Sequence, residues 1–262
     1  MEKLIDVERH GEVGLIALNR PGARNAMSMR LTLQLRRAVK DAIDDKGIRA
    51  LIFTGRGGAF SAGADVREWA EKKEGKDDYP DMDWVEECIK LIQDVARCPK
   101  PTIAMIDGAA VGAGLDMALA CDFRYASERA KFICSYTRVG YPPDCGGTWF
   151  LPRILGVEKA KLFAFTGELW DGATAKANNL VTEVVPTDRL FEATLEFAKR
   201  LASGPTVAIG LAKMLIDSSH TRSLAEQQIA EQAAGRLCAP TKDHAEGLAA
   251  ANERREPRFI GA

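Results

Sequence analysis

The spacing of apolar positions changes several times along the chain, and each change predicts an element. Alternation through Ile5 to Arg9 and Val13 to Leu18, around Gly11, predicts a β-hairpin, with Asn19-Arg20-Pro21-Gly22 as the turn that follows. Apolar residues next recur at helical spacing through Leu31, Leu35, Val39 and Ile43, with Ser28 or Asn25 as the cap. Ala50 to Thr54 is a continuous apolar run and predicts a buried strand, so the order is strand, helix, strand, as in a crossover unit. Trp84 to Ala96 reads as an amphipathic helix stopped by Cys98-Pro99-Lys100-Pro101. Between these two lies a charged stretch, Glu71 to Asp83, containing Gly75 and Pro80; its polarity predicts a mobile segment that would act as a lid.

Pro101 to Asp122 organises the rest. Thr102 to Ile106 predicts a buried strand, Gly108, Gly112 and Gly114 a turn, and Leu115 to Ala120 a helix of small residues. A chain that passes from a strand through glycines into a helix leaves backbone N–H groups at the positive end of the helix dipole, where a negatively charged oxygen is favoured. Ala50 to Thr54 leads in the same way through Gly55-Arg56-Gly57-Gly58 to Phe60-Ser61-Ala62-Gly63-Ala64-Asp65. Two such turns could aim two donors at one oxygen. The same glycines serve equally well in ordinary strand-to-helix turns, so spacing alone leaves both readings open.

Further on, Asp122 to Ala126, Lys131 to Cys134 and Val181 to Val185 predict strands, with helices at Glu158 to Thr166 and Ala173 to Asn178. The remainder reads as helix alone: Leu190 to Ser203, Thr206 to Ser218, Ser223 to Leu237 and Asp243 to Arg254. The chain therefore divides into a β-rich α/β part, residues 1–186, and a helical part, residues 187–262.

Composition narrows the function. With 36 basic and 37 acidic residues interspersed among 262, the chain lacks the charge bias that would point to nucleic acid or a membrane surface as partner. No apolar run is long enough to span a bilayer, and the opening MEKLIDVERHGEV lacks a basic-then-apolar leader, so the cytoplasm is the expected location. The six cysteines form no CxxC pair and read as small buried hydrophobes. His10, His220 and His244 lie far apart and beside no nucleophile motif, and no metal-ligand cluster is evident.

Several segments resemble the crotonase (enoyl-CoA hydratase and isomerase) superfamily: NRPGARNAMS near the start, FSAGAD at Phe60 to Asp65, Lys100 to Ser127, GGTWFLPRILG at Gly146 to Gly156, and EGLAAANERREPRF near the end. The likeness spans the whole chain. It implies an α/β fold made of a spiral of ββα units, with a C-terminal helical trimerisation region and a homo-oligomer that is a trimer or a hexamer of two trimers. It also implies an acyl-CoA thioester substrate, coenzyme A entering with the substrate and no separate cofactor. By position, the resemblance assigns the two oxyanion donors to the N–H groups of Ala62 and Ala113.

Side chains then choose the reaction. Hydratases of this family carry two glutamates that hold and activate water, and the matching positions here are Asp116 and Tyr136. A tyrosine, with an ordinary pKa of about 10, is a poor base at neutral pH. Asp144 falls where several isomerases of the superfamily carry a working aspartate, and PDCGGTWFLPR is especially similar to the ring-opening enoyl-CoA isomerase branch of phenylacetate degradation. The resemblance thus implies a double-bond shift with Asp144 as base and Asp144 or Asp116 returning the proton. A carboxylate beside Tyr141, Trp149 and Phe150 is expected to have a raised pKa. Further substrate contacts are expected from Arg24, Ala26, Ala64, Asp65, Trp84, Tyr136 and Tyr141, with Arg24 toward the coenzyme A phosphates or adenine and Asp65 also capping a helix. Trp69, Tyr79 and Met82 flank the lid stretch and are expected near the acyl pocket.

Overall fold

The computed structural model describes residues 2–75 and 78–262, and of residues 69 and 71–73 the backbone alone. Its larger sheet has six strands: β1 (Ile5–His10), β2 (Val13–Leu18), β3 (Ala50–Gly55), β4 (Thr102–Ile106), β6 (Phe123–Ser127) and β9 (Glu183–Val185), in that spatial order. β1 and β2 form the expected antiparallel hairpin, and the remaining pairs are parallel. A smaller sheet sets β5 (Ala109–Val111) beside β7 (Lys131–Ile133) and β7 beside β8 (Leu169–Asp171).

The continuous apolar runs mark strands covered on both faces, and the period of two assigns their residues. Ile16, Leu18, Leu51 and Phe53 face the main core, which includes residues of α1 (Met29–Asp44), α3 (Trp84–Ala96) and α4 (Ala113–Ala120). Val13, Leu15, Ala17, Ala50, Ile52, Ile103 and Met105 face the other way, onto Leu190, Ala198 and Ala202 of α8 (Leu190–Ala202). Beyond α8 come α9 (Thr206–Ser218), α10 (Leu224–Cys238), with its Ser223/Glu226 capping box, and α11 (Lys242–Glu253). Among the described residues, no helix is long and apolar enough to cross a membrane.

The spiral is visible in how the chain visits the two sheets. β4 in the larger sheet is followed by β5 in the smaller and then by α4; β6 and β7 repeat the step and lead to α5 (Gly147–Leu155) and α6 (Val157–Thr166). An abbreviated version follows β3, where Ser61 forms a single parallel bridge with Ala110 before α2 (Val66–Lys73). β5, β8 and α5 are absent from the sequence-based expectation. The two strands are three residues each and owe their form to partners distant in sequence, and α5 opens on glycine and contains Pro152, which argues against a helix locally. Helix α4 starts at Ala113, two residues before the expected Leu115, and β9 starts at Glu183 rather than Val181. Ser28 is the cap of α1, its Oγ accepting from Leu31 N at 3.2 Å; Asn25 is not. Of the stretch read as a lid, residues 71–73 end α2, Lys76 and Asp77 lie outside the described residues, and Tyr79 and Met82 pack partly buried against the core. The Trp69 side chain likewise lies outside what is described.

The two glycine-rich turns meet where Gly114 touches Ser61. A Cβ added at Gly114 would lie 2.6 Å from Ser61 Cβ and 2.9 Å from its carbonyl oxygen. Gly114→Ala is therefore expected to destabilise the fold by about 1–3 kcal/mol, the usual cost of overpacking. An unchanged urea midpoint would contradict this contact.

Candidate functional site

The early loop, the turn after β3 and the start of α4 are held side by side by hydrogen bonds. The Asn25 side chain is fully buried: its Nδ2 donates to Arg56 O (2.9 Å) and Ala59 O (2.7 Å), and its Oδ1 accepts from Arg20 N (2.8 Å). Ser61 Oγ donates to Asn25 O at 2.9 Å. Asn25, one of two residues expected to cap α1, forms this clamp instead, which no local spacing signals; its left-handed backbone, φ 56°, beside Arg24 at φ 49°, is a conformation that asparagine tolerates better than most residues.

Accounting for the N–H groups of the first turn corrects the sequence-based assignment. Ala62 N–H donates to Arg24 O at 3.0 Å, so it has no hydrogen to offer a ligand. Gly63 N–H donates to Ser61 Oγ (3.2 Å) and Asp65 N–H to Met27 O (3.4 Å). Within residues 62–65, the N–H left without an acceptor among the described residues is that of Ala64, which is partly exposed. Gly63, at φ +88°, is pressed so closely against the second turn that a Cβ there would stand 2.7 Å from Val111 O and 3.6 Å from Ala113 N. Ala113 opens α4 after Gly112, which caps the helix with no side chain, so its N–H also lacks an acceptor among the described residues. Ala64 and Ala113 thus each leave an N–H without an acceptor among the described residues on two adjoining turns.

Two carboxyl groups lie near these turns in unlike surroundings. Asp116, in the first turn of α4, is fully buried; its Oδ2 accepts from the Tyr136 hydroxyl at 2.6 Å. Its Oδ1 is the one buried side-chain oxygen or nitrogen without a hydrogen bond among the described residues, and Gly147 packs so close that a Cβ there would lie 2.6 Å from it. Burial, the largest influence, pushes the Asp116 carboxyl up to about 7; the Tyr136 hydroxyl, next in size, pulls it down, and the charge of Asp144 raises it more than the Gly147 amide lowers it. Burial and the adjacent Asp116 raise the Tyr136 phenol far above its ordinary value, so Tyr136 serves as a donor and not as a base. Asp144 is half-buried, with Cys145 Sγ at 3.3 Å from its Oδ1. The apolar enclosure expected around Asp144 is found around Asp116 instead: Tyr141 and Trp149 are 47% and 44% exposed, and Trp149 is covered by the Arg153 guanidinium.

The other singled-out residues sit at the margins. Asp65 is buried and caps α2, accepting from Arg67 N at 3.1 Å while it pairs with Arg20. Arg20 also reaches the carbonyl of buried Ala26 at 3.2 Å, and Arg24 is exposed on the same loop. Trp84 is buried between α1 and α3, its indole N–H on Thr32 Oγ1 at 3.1 Å, which accounts for its position without a ligand. Of the cysteines, five are buried and Cys238 is half-buried, all as free thiols. Among the described residues, no group of three or more His, Cys, Asp and Glu side chains is placed to hold a metal ion.

Comparison with known proteins adds to this geometry. Residues 8–262 match the sequence profile described as enoyl-CoA hydratase/isomerase. The chain is 34% identical over 256 residues to the 1,2-epoxyphenylacetyl-CoA isomerase of Escherichia coli (strain K12), which covers 96% of this chain and 97% of that protein. It is 36% identical over 262 residues to the human mitochondrial methylglutaconyl-CoA hydratase, covering 98% and 76% of the two chains. A crystal structure of an enoyl-CoA hydratase from Bacillus anthracis superposes with a TM-score of 0.89 at 33% identity, over 99% of this chain and 100% of that one.

The raised Asp116 carboxyl has a consequence for stability. Its folded pKa of about 7 exceeds the ordinary 3.8. Its contribution to stability is therefore complete below about pH 4 and is lost as pH rises through 7. Asp116→Asn keeps an acceptor for Tyr136 and removes the charge. This substitution is expected to raise the stability at pH 8 by on the order of 2–4 kcal/mol and to leave it nearly unchanged at pH 4. Equal effects at both values, read from thermal unfolding, would overturn the assignment.

Proposed function

The chain belongs to the enoyl-CoA hydratase/isomerase family, and from that premise we propose that it shifts a double bond along the acyl chain of an enoyl-CoA thioester. In this reading the thioester oxygen lies between the N–H groups of Ala64 and Ala113. Asp144 removes a proton from the carbon next to the carbonyl of a β,γ-enoyl group. The electron pair of that C–H bond becomes a carbon–carbon double bond, and the carbonyl pair moves onto oxygen as the dienolate. Protonation at the γ-carbon restores the carbonyl and leaves the double bond between the α- and β-carbons. Donors preset for the oxyanion are worth roughly 3–4 kcal/mol each in comparable sites. Exposed Arg24, whose carbonyl the first turn already holds, is the proposed contact for coenzyme A.

The observation that carries this reading is the bond between Tyr136 and Asp116 Oδ2. The position where a second water-holding carboxylate would stand is filled by a phenol that occupies one oxygen of the first, while a separate carboxylate, Asp144, stands close enough to act on Asp116 electrostatically. A second reading, addition of water with Asp116 as the working carboxylate, is favoured by the comparable identity to a hydratase.

We also propose a homotrimer or a dimer of trimers, located in the cytoplasm. Met214 and Ile216 on α9, and Leu224, Ile229 and Leu237 on α10, are large apolar side chains left exposed on the single chain. Light scattering is expected to return the mass of three or six chains, and a monomer at micromolar concentration would contradict the proposal.

Proton NMR in deuterium oxide tests the chemistry, with a β,γ-enoyl-CoA and an α,β-enoyl-CoA as separate substrates. The expected result is a double-bond shift without a 3-hydroxyacyl product, slowed about 10²–10⁴-fold in Asp144→Ala, the range for loss of a general base. A 3-hydroxyacyl-CoA whose formation depends on Asp116 would select the hydratase instead.

A further inference from the structure

We propose that Tyr136 is a positioning residue: by fixing Oδ2 of Asp116 it leaves Oδ1 as the atom that carries a proton and delivers it to the acyl chain, so that Asp116 is the acid and Asp144 the base. This deepens the isomerase reading and rests on it for the identity of the proton's acceptor. Hydrogen-bond polarity makes the two oxygens of Asp116 unequal. Tyr136 keeps its phenolic proton and donates it to Oδ2 at 2.6 Å, so a proton held by the Asp116 carboxyl belongs on the other oxygen. Oδ1 is that oxygen; it is buried, makes no hydrogen bond among the described residues and lies against the Gly147 backbone, whose amide offsets only part of its charge. An ionised oxygen enclosed in this way is costlier than a neutral hydroxyl in the same place.

The groups facing Asp116 reinforce the asymmetry. Tyr136 approaches from the turn after β7, Cys134 from the end of β7, and Asp144 and Cys145 from the segment before α5. Helix α3, packed against α4, brings Cys88 beside Cys145, and its Glu87 is turned away onto Arg36 and Lys90. Among the described residues, none of the groups that act on Asp116 is a cation. Two carboxyl groups whose surroundings differ this much divide into an acid and a base. Gly147 matters to the same end, since any side chain there would collide with Oδ1.

The proton balance follows. One proton leaves the α-carbon for the Asp144 carboxylate, and a different proton leaves Asp116 Oδ1 for the γ-carbon; exchange with solvent resets both. A single-carboxylate route would instead return the abstracted proton to the chain. The test compares wild type with Tyr136→Phe and Asp116→Asn in three measurements. In deuterium oxide, wild type is expected to place solvent deuterium at the γ-carbon in nearly every turnover; transfer of the substrate's own α-hydrogen to that carbon, leaving it free of deuterium, would overturn the two-group route. In the pH profile of kcat, Tyr136→Phe removes a donor that favours the anion, so the limb on the alkaline side moves to higher pH, and Asp116→Asn lowers kcat about 100-fold. A Tyr136→Phe profile that superimposes on wild type would overturn the positioning role.

The third measurement needs no turnover. Infrared difference spectra at pH 6 are expected to contain the C=O stretch of a protonated carboxyl group that is absent from Asp116→Asn and persists to higher pH in Tyr136→Phe. Its absence from wild type would sink the proposal even where isomerisation is observed. Conversely, an enzyme that moves no double bond but retains this band overturns the isomerase reading and leaves the protonated Asp116 standing.

Discussion

The site depends on a narrow piece of main-chain pairing. Ser61 N donates to Ala109 O at 2.9 Å and Val111 N donates to Ser61 O at 3.0 Å, which fastens the turn after β3 to β5. Without those two bonds the N–H groups of Ala64 and Ala113 would belong to separate loops. With them, the donors come from backbone held at both ends by sheet and helix, and such donors need little reorganisation when charge develops on a ligand oxygen. Several glycines follow from this closeness. Gly63 and Gly114 stand where a side chain would strike Val111 O and Ser61, respectively. Small residues here are therefore the condition for two strand-to-helix turns to touch.

The electrostatics of the carboxyl groups rest on the same framework. Helix α4 is enclosed by β5, α3 and α5, so a carboxyl in its first turn is carried out of water by the fold itself. Its position near the helix N-terminus favours the anion, as do the Tyr136 hydroxyl and the Gly147 amide. Burial wins because it acts on the whole charge while each donor offsets only part of it. Asp144 stands on an irregular segment nearer the surface, between the Tyr136 turn and α5, and its negative charge adds to the pressure on Asp116. A fully buried carboxyl and a half-buried one are thereby placed within electrostatic reach of each other.

How far the sequence could be read depended on whether the cause of a feature was local. Thr102–Ile106 and Trp84–Ala96 were legible to the residue, because an apolar run ending at glycines and a helical stripe ending at prolines carry their own boundaries. β5 carries no such mark: Ala-Ala-Val becomes a strand because β7 and Ser61 pair with it. The two turns were also legible, but the choice between Ala62 and Ala64 was not. That choice is made by Arg24 O, a carbonyl far back along the chain that takes the Ala62 hydrogen, and no spacing rule within FSAGAD encodes it. Likewise Asp116 and Asp144 stood out as carboxylates, while their difference in burial comes from helices packed around one and not the other.

This division between backbone and side chain explains why membership of the family leaves the reaction open. An oxygen bound between the two turns would meet main-chain N–H groups, which persist through changes of side chain as long as glycines and short residues keep the turns together. The side chains gathered around Asp116 come instead from three separate segments: the first turn of α4, the short turn after β7 and the loop before α5. Only the first of these is in the deep core. Tyr136, which opens a short 3-10 helix and packs against the core, and Asp144, on irregular backbone, stand half-buried at its margin. The bond that Tyr136 makes to Oδ2 of the buried Asp116 therefore leaves Oδ1 as the one oxygen of that carboxyl without a hydrogen bond among the described residues.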